Sequence, residues 1–394
     1  MDDIQMTKSG THRFLRQDRL VWGDPADVAV SRELALLGKQ RAFVICNASL
    51  MATGLVSRIV SRLGPQCVGI YDKCVAHSPR KDVLAASRAA RMAGADIIVA
   101  IGGGSVIDTS KVVLACLWLN LETEQDMDNL RDGNFSDRLL AVGDPIRMVA
   151  VPTTLSGAEF STIAGITNAQ RGTKEVLQHP DYVPSIVVID PAATRFTPPE
   201  LFSSSGIRAV DHCVEAICST ARTPYADAVT GKALEMLSRH LVAATTDSAN
   251  FDSRLECQMA AWLATSGLAS GVPIGLSHVI GRVLGGAHHV PHGVTSCVML
   301  APVLRWNESA DDGRQAIVAK LLGADPGQSA ADAVASLIAR LELPARLRDV
   351  GVERRDFAGI AEKALHMTSL PGCNGNPRTA NSLRDIEQIL ELAY

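Results

Sequence analysis

The sequence predicts an α/β half over residues 1–196 followed by an all-α half over residues 197–394, and three observations carry that expectation. Short runs of strand-forming apolar residues alternate with stretches of helical spacing as far as Ile189, which is the rhythm of βαβ units on a parallel sheet. Three consecutive glycines, Gly102 to Gly104, join one of those strands directly to the helix after it. From about Thr197 the pattern changes: Pro198, Pro199 and Ser203 to Ser205 mark a boundary, and beyond it apolar residues recur at helical spacing with no sustained strand signal. At 394 residues the chain also exceeds what one core usually holds.

Taken in order, Arg41 to Cys46 reads as a strand and Leu50 to Leu63 as a helix, and Val68 to Tyr71 with Lys81 to Ala93 repeats the pair. Asp96 to Ile101 is a third strand, leading through Gly102, Gly103, Gly104 and Ser105 into a helix over Val106 to Leu119. A glycine-rich turn there lets backbone N–H groups approach an anion at the positive helix end, unless it is simply a tight turn. Asp108 and Lys111 fall in the first two turns of that helix, Lys111 being either a phosphate ligand or a solvated charge. Met148 to Val151 is the next strand. Thr153, Thr154 and Ser156 cluster just past its end, where ligands dock in an open parallel sheet. Gly165 to Asn168 belongs to a short hairpin and Ile186 to Ile189 is a further strand. Helices are then expected at about 207–220, 226–244, 253–269, 292–305, 314–322, 329–340, 355–367 and 381–393, with polar loops near 120–137 and 323–330.

Hydrophobic residues make up 47% and charged residues 20%, the balance of a well-buried globular chain. A net charge of -4 speaks against a nucleic-acid footprint and against a polybasic membrane surface, so small-molecule chemistry is expected. Nine cysteines, an odd number without a CxxC pair, read as reduced thiols in a cytoplasmic protein. The polar N-terminus has no signal-peptide core, and no apolar run is long enough to span a bilayer.

The stretch Gly275 to Gly293 concentrates His278, Arg282, His288, His289 and His292 in an apolar background. His278 and Arg282 are four apart and share a helix face if the segment is helical, Gly285 and Gly286 then break the helix, and Pro291-His292 brings a further imidazole back from a turn or a new helix start. Gly206 to Ala216 repeats the arrangement with Arg208 and His212. Two helices, each with a guanidinium and an imidazole, line one cleft on this reading. The alternative is a set of hydrogen-bonded structural histidines and salt-bridged arginines. Glu215 is read as facing solvent or pairing with a nearby arginine.

The ordered set GGGSVIDTSK (102–111), PTT (152–154), GIRAVDHCVEA (206–216), GLSHVIGRVLGG (275–286), PHG (291–293) and NPR (376–378) resembles the iron-containing alcohol dehydrogenase superfamily over nearly the whole chain. The resemblance implies a dinucleotide-binding α/β domain and a helical domain (a dehydroquinate synthase-like fold), with NAD(P)H and substrate in the cleft between and a homodimer or larger assembly. It implies that Gly102 to Ser105, with Asp108 nearby, hold the pyrophosphate, that Thr153 and Thr154 line the nucleotide site, and that Lys174 lies near the cofactor. Asn47 stands where many members have an Asp for the adenosine ribose. Asn still pairs with a hydroxyl and does not repel a 2′-phosphate, so NADH and NADPH are both admitted.

Metal-dependent members have Asp at the position of Arg208, His at those of His212, His278 and His292, and another His at that of Arg282. A guanidinium within ~4 Å of a divalent ion costs about 8 kcal/mol at an effective dielectric near 20, so no tightly bound metal is expected. Asp211 is a possible substitute ligand but points about 100° off the His212 face. The spacing from Pro152 to Glu159 is similar to that of the maleylacetate reductases, a branch working without metal. That branch usually has Asn at the Arg208 position and His at the Arg282 position, and this chain departs from it there. Paired arginines suit a carboxylate substrate. The expectation is therefore an NAD(P)H-dependent, metal-independent reductase of an anionic oxo acid such as maleylacetate, giving 3-oxoadipate, in aromatic compound catabolism. Arg208, His212, His278, Arg282 and His292 are its catalytic set, with His278 or His292 the proton donor. The alternative is a metal-dependent (Fe or Zn) alcohol dehydrogenase.

Overall fold

A computed structural model describes residues 12, 14–130, 145–171 and 173–394. Its first half is a parallel six-stranded sheet built from β1 (Arg19–Trp22), β2 (Ala42–Ile45), β3 (Cys67–Tyr71), β4 (Ile97–Gly102), β5 (Arg147–Pro152) and β8 (Ile186–Ile189), in the order β1-β8-β5-β4-β2-β3. Apart from Arg147 at the start of β5, every residue of β2, β4, β5 and β8 is buried, as expected of strands covered on both faces. Along β4, Ile97, Val99 and Ile101 pack with Val30, Leu34 and Ile59 on one face, while Ile98 and Ala100 pack with Val83 and Val113 on the other. Each such side chain contributes about 1.5–3 kcal/mol by leaving water.

The chain runs from β2 outward to β3 and then crosses back to β4 on the other side of β2. The carboxyl ends of β2 and β4 therefore diverge, and the crevice between them is where ligands bind in sheets of this kind. Asn47 and the Gly102–Ser105 turn sit at its rim. The expected hairpin is β6 (Ile163–Asn168) against β7 (Thr173–Gln178). Strand β1 carries no signal in the sequence beyond four mixed residues; it forms because β8 offers it a parallel edge, Arg19 opposite Ile186.

Beyond Ile189 the described residues contain helices and turns only. Helices Pro199–Cys218, Pro224–Thr246 and Phe251–Ala269 bury one core, and Leu276–Ala287, Phe357–Thr368 and Leu383–Leu392 bury another. The His292–Asn307 helix serves both, with Cys297, Leu300 and Leu304 facing the first and Val298, Met299 and Val303 the second. Phe160, Val187 and Ile189 pack against Leu255, Met259 and Trp262, which joins the sheet to the helices.

Two punctuation signals behave otherwise than expected. Gly285 and Gly286 do not break their helix, which continues to Ala287. A side chain at Gly285 would come within 3.1 Å of the His292 ring, so the glycine provides room for a neighbour. Ser203, Ser204 and Ser205 lie inside the Pro199–Cys218 helix, their hydroxyls bonded back to carbonyls three or four residues earlier. In the 120–137 stretch Asp126–Leu130 forms a short 3-10 turn, and 131–137 lie outside the described residues. All nine cysteines are unpaired and only Cys67 is not buried; burial pushes the Cys46, Cys74, Cys116 and Cys218 thiols up to about 12. Among the described residues no helix is long and apolar enough to cross a membrane.

Candidate active site

The sheet side of the crevice is made of backbone. A Cβ at Gly102 would lie 2.6 Å from Val106 Cγ2, one at Gly103 2.8 Å from Thr154 Cγ2, and one at Gly104 3.1 Å from Ser156 Oγ. Only glycine lets the turn lie this close to the 152–156 segment. The Gly104–Leu119 helix begins here with no side-chain cap, leaving its first N–H groups to the crevice. Thr153 is held by its main chain, donating to Gly102 O at 3.1 Å and accepting from Thr197 Oγ1 at 2.7 Å, and Thr154 Oγ1 donates to Ser156 Oγ at 3.3 Å. Ser105 Oγ accepts from the His77 amide at 3.3 Å. Asn47 Oδ1 caps the Ala48–Met51 helix by accepting from Leu50 N at 3.1 Å, so a nucleotide hydroxyl would meet its amide NH2.

Neither reading of Lys111 survives. It is fully buried and donates to Ala158 O and Ile163 O, both at 2.6 Å, with Asp108 3.7 Å away. Asp108 also accepts from Gly165 N at 3.0 Å, which ties the first helix turn to the β6–β7 hairpin. That hairpin delivers Lys174 into the cleft, where its Nζ contacts His292 Nε2.

The helical side is made of charge. Arg208 donates from Nη1 to Ser296 Oγ at 3.0 Å and lies 3.7 Å from Asp211 Oδ2, its side chain only 15% exposed. It passes within 3.9 Å of where a Gly281 Cβ would stand. Arg282 reaches Cys373 Sγ at 3.5 Å, and its charge bears on Arg208, Lys174 and His292. Burial lowers Lys174 against the pull of Asp108, with Arg208 and Arg282 adding to the fall; burial and the neighbouring cations hold His292 well below the usual imidazole range. Arg208, Arg282, Lys174 and His292 thus converge as a basic cluster.

His278 lies beneath it. Its Nδ1 is 2.8 Å from Glu215 Oε2 and 3.4 Å from Asp211 Oδ2. Burial and Arg208 oppose its charge, but the two carboxylates prevail and raise it. Burial alone would raise Asp211; His278, Arg208 and Ser296 bring it down to about 2. His212 stacks on His278 with ring centres 5.0 Å apart, and burial with the His278 and Arg208 charges keeps it well below its usual range.

Glu215 does not face solvent and, among the described residues, forms no ion pair with an arginine. It is buried and caps the Leu276–Ala287 helix, accepting from Gly275 N at 2.6 Å and Ser277 N at 2.8 Å. Its position, seven after Arg208 and three after His212, places all three on one helix face, a signal the sequence did contain. Asp211 likewise reaches the centre, accepting from Ser277 Oγ at 2.9 Å and Ser296 Oγ at 2.6 Å. The helices carrying Ser277 and Ser296 both pack on the Pro199–Cys218 helix, so an offset of 100° does not turn Asp211 away.

These residues fit a divalent ion poorly. A guanidinium occupies the place of the expected carboxylate ligand, and His292 is turned to Lys174. Among the described residues, one group brings three ligand-type atoms within 4.8 Å of one another: Asp211, Glu215 and His278. Its imidazole already fills the space between carboxylates that accept N–H and O–H donors elsewhere.

Residues 18–191 match iron-containing alcohol dehydrogenase, and residues 202–394 match the C-terminal part of the Fe-containing alcohol dehydrogenase family. The chain belongs to the iron-containing alcohol dehydrogenase family. Within that family it is 32% identical to maleylacetate reductase 2 of Cupriavidus pinatubonensis, over 95% of this chain and 94% of that one. Alcohol dehydrogenase 4 of Saccharomyces cerevisiae is 29% identical over 83% and 85%. The solved structure of maleylacetate reductase from Agrobacterium tumefaciens superposes with a TM-score of 0.81 at 25% identity, covering 98% of each chain. The family and these relatives make the chain an oxidoreductase.

Proposed function

We propose that this protein reduces an anionic oxo acid, maleylacetate to 3-oxoadipate being the leading case, with NAD(P)H and without a bound metal. The observation that carries the reading is the convergence of Arg208, Arg282, Lys174 and His292 on one cleft beside the glycine turn. Four basic groups with little solvent between them favour a ligand bearing carboxylates. The nicotinamide cofactor supplies hydride to an unsaturated or carbonyl carbon; the Gly102–Ser105 turn and the uncapped helix start bind its pyrophosphate. Arg208 and Arg282 orient the acid and stabilise the enolate or alkoxide oxygen that develops. His292, neutral and in contact with Lys174, relays the proton: its Nε2 accepts from the Lys174 ammonium as the ring releases its Nδ1 proton to substrate, since the His278 ring is held between two carboxylates. His278, kept cationic, adds positive potential from below, and His212 positions substrate. A homodimer in the cytoplasm, acting in aromatic compound catabolism on small molecules rather than nucleic acid or membrane, is the proposed setting.

The test is consumption of NADH or NADPH at 340 nm with a panel of oxo acids and simple aldehydes, beside elemental analysis of the purified protein. Oxidation with oxo acids, unchanged by chelator and with metal well below stoichiometric, is expected. Activity on simple alcohols or aldehydes alone, lost to chelator and restored by iron or zinc, would replace this reading with the metal-dependent alcohol dehydrogenase.

A further inference from the structure

One imidazole of the cleft belongs neither to the glycine turn nor to the arginine pair. His77, in the loop after β3, has φ +66° and Ser78 beside it has φ +48°. Residues with a Cβ rarely adopt this left-handed backbone, and glycine would adopt it freely. Two in succession stand here without a glycine. Four hydrogen bonds tie them to other elements: His77 N to Ser105 Oγ at 3.3 Å, Ser78 Oγ to Ser105 O at 2.9 Å, Thr167 Oγ1 to His77 O at 2.8 Å, and Thr167 N to Ser78 O at 3.1 Å. The loop is thereby fastened to the start of the Gly104–Leu119 helix on one side and to the Lys174 hairpin on the other. A backbone over-determined in this way is the usual state of a ligand clamp.

The half-buried His77 ring stands near Lys174 and His289, and burial with those charges lowers its pKa, which keeps the ring neutral and able to donate one N–H. It also acts on His292. The ring, on the loop bonded to Ser105 and Thr167, therefore borders the Lys174 and His292 end of the cluster.

We propose that His77 is a substrate-binding residue whose imidazole N–H donates a hydrogen bond to a carboxylate oxygen of the acid where the two halves of the chain meet. The assignment rests on the oxo-acid reading of the same cleft. A hydrogen bond to a charged oxygen predicts that His77→Ala raises KM for the oxo acid about ten- to a hundredfold while KM for NAD(P)H stays within about twofold. His77→Asn, which tolerates the left-handed backbone and keeps a donor, recovers part of that loss. His77→Gly weakens the acid as alanine does yet raises the thermal midpoint, a combination that a merely structural histidine would not give. An unchanged KM for the acid, or a change confined to the cofactor, overturns the proposal. If the wild-type protein oxidises NAD(P)H with no oxo acid, the functional reading alone fails. Calorimetric titration of succinate into protein saturated with NAD+ then decides for His77. Binding about tenfold weaker in His77→Ala supports it, and equal binding in both proteins, or none in the wild type, overturns it.

Discussion

The two walls of the crevice are made of opposite materials. On the sheet side, the glycine turn faces the site, and ordinary side chains are excluded by contacts below 3.0 Å at Gly102 and Gly103 and crowded at Gly104. On the helical side, Arg208, Asp211, Glu215 and His278 interlock through ion pairs, and His292 meets Lys174 beside them. The first wall is specified by shape and the second by charge. Volume changes should therefore damage nucleotide binding, and charge changes should damage the fold and the acid.

The sharpest test of that contrast is Glu215→Ala. It strips the acceptor from Gly275, Ser277 and His278 and leaves a buried imidazolium with one counter-ion, so a stability loss of about 3–5 kcal/mol by urea denaturation is expected. Next in size, Arg208→Ala should lower kcat/KM for the oxo acid about a hundredfold, worth about 2.7 kcal/mol, and leave nucleotide affinity intact. Asp211 gives a pH signature. Its folded pKa of about 2 lies below the unfolded value of about 3.9, so its contribution is complete above pH 4 and is lost as pH falls toward 2. Asp211→Asn should flatten stability measured over that window, by an amount on the order of 2 kcal/mol in the parent. Smallest, Gly103→Ala should weaken NAD(P)H about tenfold through its contact with Thr154, without changing affinity for an inert dicarboxylate. A variant on one wall that disables the other wall's ligand would break the comparison.

The same contrast decides how much was legible. The sheet rhythm, the glycine turn and the hairpin are local patterns, each contained within about thirty residues, and they lie where the spacing placed them. So do the helices that put Arg208 beside His212 and His278 beside Arg282. The roles of Asp211, Glu215 and Lys111 depend on what crosses those helices from 40 to 90 residues away, which periodicity does not record. A charged residue in a helix looks solvated until a neighbouring helix start or a pair of carbonyls is brought against it. His77 was missed because its distinguishing mark is a backbone angle, which no residue spacing records.

The unpaired cysteines have a practical consequence. With Cys67 alone partly accessible, Cys373 buried, and burial leaving the other seven almost no thiolate at neutral pH, the native protein resists alkylation at eight of its nine sulfurs. Iodoacetamide uptake followed by mass spectrometry thus reports global opening directly, one adduct for the intact state against nine for the unravelled chain. A single native preparation then supplies its own gauge of how often the two walls come apart.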